Sequence, residues 1–590
     1  MPPTKNQLST NPDLRLYYVQ RPPPAVPDVT GIQSYFPSLE LLFPSIQQQS
    51  TGHPALAATE LILDISADGT ATIENMVTKE ISSTPVWIRK IHLIDPVGVM
   101  SGEYIVPKDG GLPAFREAWQ ITLRKINDPY NEAYTAAVAS CMTSRLVERG
   151  LSPHFCRFYG TCNGRAASYR FNITEDLVDI EHEAWFHEGI KSGAFQIMAV
   201  DPDNENVEEP LESWEPIDRP RIVADGDEFD IHDDGDEEED GSDNGSDNDS
   251  DNESMASANE DAIPMDGEVI LSRPRPSIRL QRSSSQTDGS DSNDSDMSML
   301  DYIAILKDFP VQLTFLERCD GTMDRLMVDE TSDDATPDMR DTKEERWTAW
   351  VFQVIAALTV SQQAYDLIHN DLHTNNIVWT GTAETHLYYH VHGAAGGDRY
   401  YRVPTYGRIF KIIDFGRATF RVPQEGKNGP VWLPDVYAPG ADADGQYNFG
   451  HYFDQARQKI SPNKSFDLCR LAIAMLETLW PTQPAVKEPA RALTKEAGRT
   501  QNETVSALWN LMWMWLTDKD GKNFLRTPSG RERYPQFDLY CAIAAGSENA
   551  VPAQQLTMPL FDEAFRVRQK DIPTDVTIWK LQAHPPQKRK

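Results

Sequence analysis

The sequence predicts an α+β fold in two lobes: an antiparallel sheet carrying one helix, then a mainly helical body, with a long acidic insert expected to be disordered. Three observations carry this. At 590 residues the chain exceeds what one hydrophobic core usually organises. Strand-like runs follow one another from Glu60, whereas apolar residues recur at helical spacing beyond Glu344. Residues 201–298 hold 32 acidic residues against six arginines and no lysine, a net of −26 out of a total of −35.

Residues 1–55 are rich in Pro, Ser and Gln, and RPPPAVPDV at 21–29 predicts an extended, polyproline-like N-terminal arm. Residues 56–200 form the first part of the sheet lobe. There ELILDI, a turn at Ala67-Asp68-Gly69, TATIENMVTKEI and PVWIRKIHLI predict three antiparallel strands, and AWQITLRKI a fourth. NEAYTAAVASCMTSRLVERG is Ala-rich and ends at Gly150, which predicts a helix; FCRFYGTC and ASYRFNI are further β-type runs.

The tract around DGDEEEDGSDNGSDNDSDNES, within 201–298, cannot bury enough apolar surface to offset the entropy of ordering. Its acid-flanked serines and those of RLQRSSS are plausible phosphorylation sites, although a plain solubilising insert is the simpler reading. Residues 299–330 complete the sheet with two strand-like runs in DYIAILKDFPVQLTFLERCDGTMDRLM. Over 331–590, EERWTAWVFQVIAALTVSQQA, SFDLCRLAIAMLETL and SALWNLMWMWL predict buried helices, and the Met/Trp stripe of the last reads as core.

Outside the insert the charge is only −9, and the basic residues show no patch beyond Lys588, Arg589 and Lys590, so nucleic acid is not an expected partner. The N-terminus has no charged-then-apolar leader pattern and no run of about 18 apolar residues occurs, so the chain is expected to be soluble, intracellular and free of membrane. Six cysteines without CxxC spacing favour a reduced compartment and buried thiols.

Two motifs carry chemistry. LIHNDLHTNNIVW at 367–379 has the arrangement H-x-D-x-x-x-x-N in His369, Asp371 and Asn376. Phosphoryl transfer needs a carboxylate to orient the attacking hydroxyl and accept its proton, and an amide oxygen a few residues later to hold a metal; Asp371 and Asn376 fit these roles. Downstream, IFKIIDFGRA at 409–418 is an apolar strand delivering Asp414 into a Phe-Gly turn, where a carboxylate can project toward magnesium and Gly416 lets the backbone turn sharply.

From about residue 60 onward the chain resembles the protein-kinase superfamily, most closely the protein kinases of large DNA (giant) viruses. The resemblance rests on VWIRKIHLIDP, KINDPYNEAY, FPVQLTFLERCDGTMD, HNDLHTNNI, VPTYGRIFKIIDFGRA, PNKSFDLCRLA and RERYPQFDLY, in both predicted lobes and outside the insert. It implies a two-lobed fold, ATP and Mg2+ as cofactors, and a protein substrate with serine or threonine hydroxyls, the chain itself among the candidates. It also implies a host-cytoplasmic location, with packaging in a virion left open. By resemblance Asp371 is the catalytic carboxylate, with His369 supporting its loop, and Asn376 and Asp414 are magnesium ligands. Asp467 anchors the loop from below, and Glu317, Arg318 and Cys319 form the hinge that hydrogen-bonds adenine.

For the cation that contacts the phosphates, the resemblance aligns Arg89, with Lys90 one step later; Lys90 is the expected contact, and in a strand only one of the two can face the site. Glu132 is its candidate ion-pair partner, or simply an acidic residue at a helix start. Several features depart from the family. No G-x-G-x-x-G precedes Lys90, Asn370 replaces the arginine before the catalytic Asp, and no A-P-E closes the segment after Asp414. Switching by phosphorylation of that segment is therefore not expected. His373 stands where many protein kinases have a lysine near the transferred phosphate, a substitution shared by small-molecule phosphotransferases of the aminoglycoside and choline kinase kind and by some divergent protein kinases, so it separates none of these. Such a phosphotransferase and a nucleotide-binding pseudokinase stay open as alternatives. An inserted stretch, THLYYHVHGAAGGDRYYRVP, predicts a hairpin whose His390-x-His392 pair could bind metal, though two exposed strand histidines are the plainer reading.

Overall fold

Alternating apolar residues in Glu60–Ile65, Thr70–Asn75 and Ile81–His92 make three successive antiparallel strands, the first two turning at Gly69, where φ is 77°. This computed structural model describes residues 14–211 and 300–583 apart from short gaps, the longest being 332–341, 423–430 and 444–461. The acidic tract from 212 to 299 with its RLQRSSS serines, most of the segment after Asp414, and the basic tail lie outside the described residues.

The sheet has eight strands, all antiparallel. Its main path runs Val29–Gln33, Phe158–Asn172, Asp301–Glu317, Ile81–His92, Thr70–Asn75 and Glu60–Ile65, with Gln196–Asp201 and Asn204–Leu211 added beside Asp301–Glu317. The strand Asp301–Glu317 is central. It pairs with three others and is buried continuously from Phe309 to Leu316, as expected where both faces are covered. The two runs expected there are one strand with an irregularity at Asp308 (φ 51°), whose carboxylate binds Arg165 at 2.6 Å.

The Ala-rich run forms the helix Glu132–Glu148 as expected. Asn131 caps it by accepting from Ala133 N and donates to Leu93 O, which fixes the helix start to the end of the strand carrying Arg89. Gly150, at φ 66°, follows its last turn. Near that end Glu148 accepts from Thr59 N and Oγ1, tying the helix to the turn before Glu60.

Three expectations are corrected. AWQITLRKI is not a strand: Ile121–Ile126 is a short helix burying Thr122 and Ile126, positions four apart that meet on one helical face. The N-terminal segment is not a free arm. Arg15–Val19 pairs with His53–Ala57, Val29–Gln33 extends the main sheet, and Leu14, Leu16, Phe36 and Leu39 are fully buried. The insert also begins later than residue 201, because Asn204–Leu211 pairs with Gln196–Asp201 as a sheet strand.

The C-terminal part packs around the helix Lys343–Tyr365, which is buried on all sides over most of its length, with Trp347, Trp350 and Phe352 inside. Ala507–Trp515 packs against it and against Phe466–Leu479, and Trp509, Met512 and Trp515 of its Met/Trp stripe are core. Strands also occur here. Gly321–Thr322, Ile377–Gly381 and Arg408–Ile412 form a small sheet that carries the two motifs, and His386–His392 and Arg399–Pro404 form the expected hairpin. That hairpin joins Arg566–Val567 and, in parallel, Ile578–Gln582. Most buried side chains of sheet and helices make one continuous core, and Tyr17, Ala55, Ala57, Leu61 and Met76 form a small separate cluster. No described helix is long and apolar enough to cross a membrane.

Candidate active site

The loop 367–376 leaves the long helix at Asp366 (φ 48°) and is held from beneath by Asp467, fully buried on the helix Phe466–Leu479. Asp467 Oδ2 accepts from His369 N at 3.0 Å and Oδ1 from Asn370 N at 2.9 Å. Burial pushes its carboxyl up to about 7, against these two N–H donors, which favour the anion. His369 Nε2 donates to Ile413 O at 2.8 Å and Nδ1 accepts from Asp371 N at 3.3 Å, so one ring ties the loop to the strand end before Asp414. Burial lowers the His369 pKa, keeping it neutral for that tautomer. Asn370, at φ 62°, donates to Arg417 O and Thr419 Oγ1, a structural role that ties the loop to the segment after Asp414.

Asp371 thus presents its carboxylate on a fixed loop. Its Oδ1 is buried with no hydrogen-bond partner among the described residues, and the Arg470 guanidinium is 4.0 Å away. Burial raises the carboxyl to about 6, with Arg470 and His369 opposing. Asn376 Nδ2 donates to Asp371 O at 2.9 Å and to His373 Nε2 at 3.1 Å, which leaves Oδ1 as the atom suited to a cation. His373 is driven down to about 4 by burial and by Arg470, so it is a neutral acceptor 3.9 Å from Asp371 Oδ2.

Asp414 follows the strand Arg408–Ile412 at φ 65°, a conformation that aims its side chain at the sheet. Arg89 meets it there: Nη2 lies 2.5 Å from Oδ2. Burial alone would raise Asp414, but the guanidinium outweighs it and holds the carboxyl at about 2. This corrects the expectation for Lys90, which is exposed on the opposite face of the strand. Glu132 is not the partner of Lys90 either. Its Oε2 lies 3.1 Å from Arg417 Nη2. Gly416 is also explained differently. The left-handed residue of this turn is Asp414, whereas a Cβ on Gly416 would lie 2.6 Å from Glu132 Oε1, so glycine is needed for the close approach.

At the expected hinge, Glu317 receives Lys411 Nζ on both oxygens, at 2.7 and 2.8 Å, and its Oε2 also accepts from Arg157 N. Arg318 is exposed, and Cys319 Sγ lies 3.6 Å from Cys156 Sγ. The structure therefore brings together Asp371, His369, His373, Asn376, Asp414, Gly416, Arg89 and Glu132, with Asp467 beneath. Lys90 faces away.

Sequence reasoning missed Arg417, Arg470 and Lys411. Lys411 carried a signal, a lysine inside the apolar run IFKII, since a buried lysine is nearly always paired. Arg470 carried the same signal, an arginine inside the helix run SFDLCRLAIAMLETL, whereas Arg417 carried none. The donor set of Asp414 and Asn376, oxygen only, beside a carboxylate oxygen of Asp371 that has no partner among the described residues, fits a hard divalent cation such as magnesium. No protein-family model and no curated protein matches this chain.

Proposed function

We propose that the chain is an ATP- and magnesium-dependent protein kinase of serine/threonine type, with the sheet and the helical body as the two lobes of a kinase-like fold. The observation that carries the reading is Asp371: a half-buried carboxylate on a loop anchored by Asp467, poised near pH 6, whose inward Oδ1 has no hydrogen-bond partner among the described residues. A buried carboxylate oxygen left unpaired is costly, and a substrate hydroxyl is the group that would satisfy it.

Asp371 would orient the acceptor hydroxyl and take its proton as the oxygen bonds to the γ-phosphorus and the bond from that phosphorus to the β–γ bridging oxygen breaks, releasing ADP. Asn376 Oδ1 and the Asp414 carboxylate would hold magnesium, which supplies positive charge to the phosphates. Arg89, already at Asp414, is the cation placed to meet phosphate oxygens, and its planar fork suits them. His373, neutral, accepts the Asn376 amide and keeps that side chain oriented.

The test is transfer from labelled ATP with magnesium to casein, myelin basic protein and the chain itself. Wild-type protein is expected to label at least one, and Asp371→Asn, with an unchanged unfolding midpoint, none. Equal labelling by Asp371→Asn would remove the assignment. The Arg89–Asp414 pair favours a second reading, a nucleotide-binding protein without turnover, because it engages the carboxylate meant for the metal. ATP binding by wild type with no transfer to any acceptor would select it.

A further inference from the structure

The hairpin His386–His392/Arg399–Pro404 carries a second cluster of chemical groups, on a sheet separate from the one that holds the motif strands. His390 and His392, two apart in one strand, share a face, and their ring centroids are 3.6 Å apart. The chain turns through Gly393, Gly396 and Gly397, all at positive φ, and returns Asp398 to that face. Asp398 Oδ2 then lies 3.0 Å from His390 Nε2 and 3.2 Å from His392 Nδ1. The sequence pattern held two donors; folding supplies the third.

We propose that His390, His392 and Asp398 form a binding site for a divalent transition ion of the zinc class. The three ligand atoms lie within 4.8 Å of one another, and in a tetrahedral site with bonds of about 2.0–2.1 Å the ligands stand roughly 3.3 Å apart. Little movement is needed. Two imidazoles and one carboxylate are the donor set that zinc prefers over magnesium or calcium, and three protein ligands leave a position for water. The site is also pre-oriented: the His390 ring stacks on Tyr400 at 4.2 Å and 13°, which fixes its Nε2 toward Asp398. The cations at neighbouring register positions, Arg402 and Lys580, are exposed and screened by solvent.

The ion would fasten the hairpin tip at the point where it meets the C-terminal strand. His392 O accepts from Ala583 N, and Gly393 packs against Gln582. Binding would therefore stabilise the pairing of His386–His392 with Ile578–Gln582.

The experiment is calorimetric titration of chelator-treated full-length protein with Zn2+, repeated with Co2+ while recording the visible spectrum. Wild type is expected to bind one equivalent that His392→Ala loses or weakens at least tenfold, with Asp398→Asn weakened in the same direction and the cobalt band lost from both. A wild-type titration with no one-equivalent step, or one that both variants reproduce, overturns the proposal. Because neither variant touches the loop 367–376 or Asp414, phosphotransfer from ATP is expected to be unchanged in both, and its fate is read separately.

Discussion

Arg89 and Asp414 form a 2.5 Å ion pair that joins the middle of a sheet strand to the turn after Arg408–Ile412. Lys90, its neighbour, is exposed on the other face. Arg89→Ala is expected to lower kcat/KM for phosphotransfer by about 10²–10³-fold, the usual consequence of deleting a pre-positioned charge at a transferring phosphate. Lys90→Ala is expected to stay within about twofold, as for a surface change. Arg89→Lys falls between, since an ammonium cannot reproduce the fork. Steady-state kinetics on the three variants check this, and a large loss in Lys90→Ala alone would reverse the assignment.

The acid limb of activity is expected to be set by Asp371, which burial raises to about 6. Only the anion can accept the hydroxyl proton, so the rate falls about tenfold per unit as pH drops below that value. Asp414, held at about 2 by Arg89, remains charged throughout that range and does not contribute to the limb. A pH profile of kcat/KM from 4.5 to 8, read against the unfolding midpoint at each pH, measures it.

Asp467 uses both oxygens as acceptors for backbone N–H groups. In Asp467→Asn one of those N–H groups faces an amide NH2, leaving a buried donor unpaired, at an expected cost of about 1–3 kcal/mol in denaturant unfolding. Activity is expected to fall with it, because the loop bearing Asp371 loses one of the two bonds that Asp467 makes to it.

Gly416 and Glu132 are expected to be coupled. Gly416→Ala places a Cβ against the Glu132 carboxylate and should cost about 1–3 kcal/mol by overpacking. In a Glu132→Ala background that obstacle is gone, and the penalty should shrink by at least about 0.5 kcal/mol. Additive unfolding energies in the double-mutant cycle would show that the contact is relieved elsewhere.

The motif spacing placed Asp371, Asn376 and Asp414 because each lies within a few residues of a recognisable turn or strand end, and the anchoring role of Asp467 followed from the resemblance. Arg89 against Lys90 was a different kind of question. Period-two alternation says that the two oppose each other, and only the position of Asp414 across the interior says which is inside. Local pattern also failed for Ile121–Ile126, where Ile, Leu and Ile in six residues satisfy either a strand or one helical turn. Arg15–Val19 and Asn204–Leu211 were hidden for another reason: each is a strand only because a neighbour offers it an edge, and their flanks are proline-rich in one case and acidic in the other.

The central strand Asp301–Glu317 lies on the far side of the acidic tract from all three strands that it pairs with, Phe158–Asn172, Ile81–His92 and Gln196–Asp201. Leu211 sits opposite Ile197, and Ile197 opposite Ala304, so the chain departs and re-enters on one sheet, two strands apart. What joins the two halves there is a zipper of main-chain hydrogen bonds and a shared apolar interior. Pieces ending at residue 211 and beginning at residue 300, produced as separate polypeptides, should find each other along that zipper and restore the whole, which makes this chain a ready-made split protein.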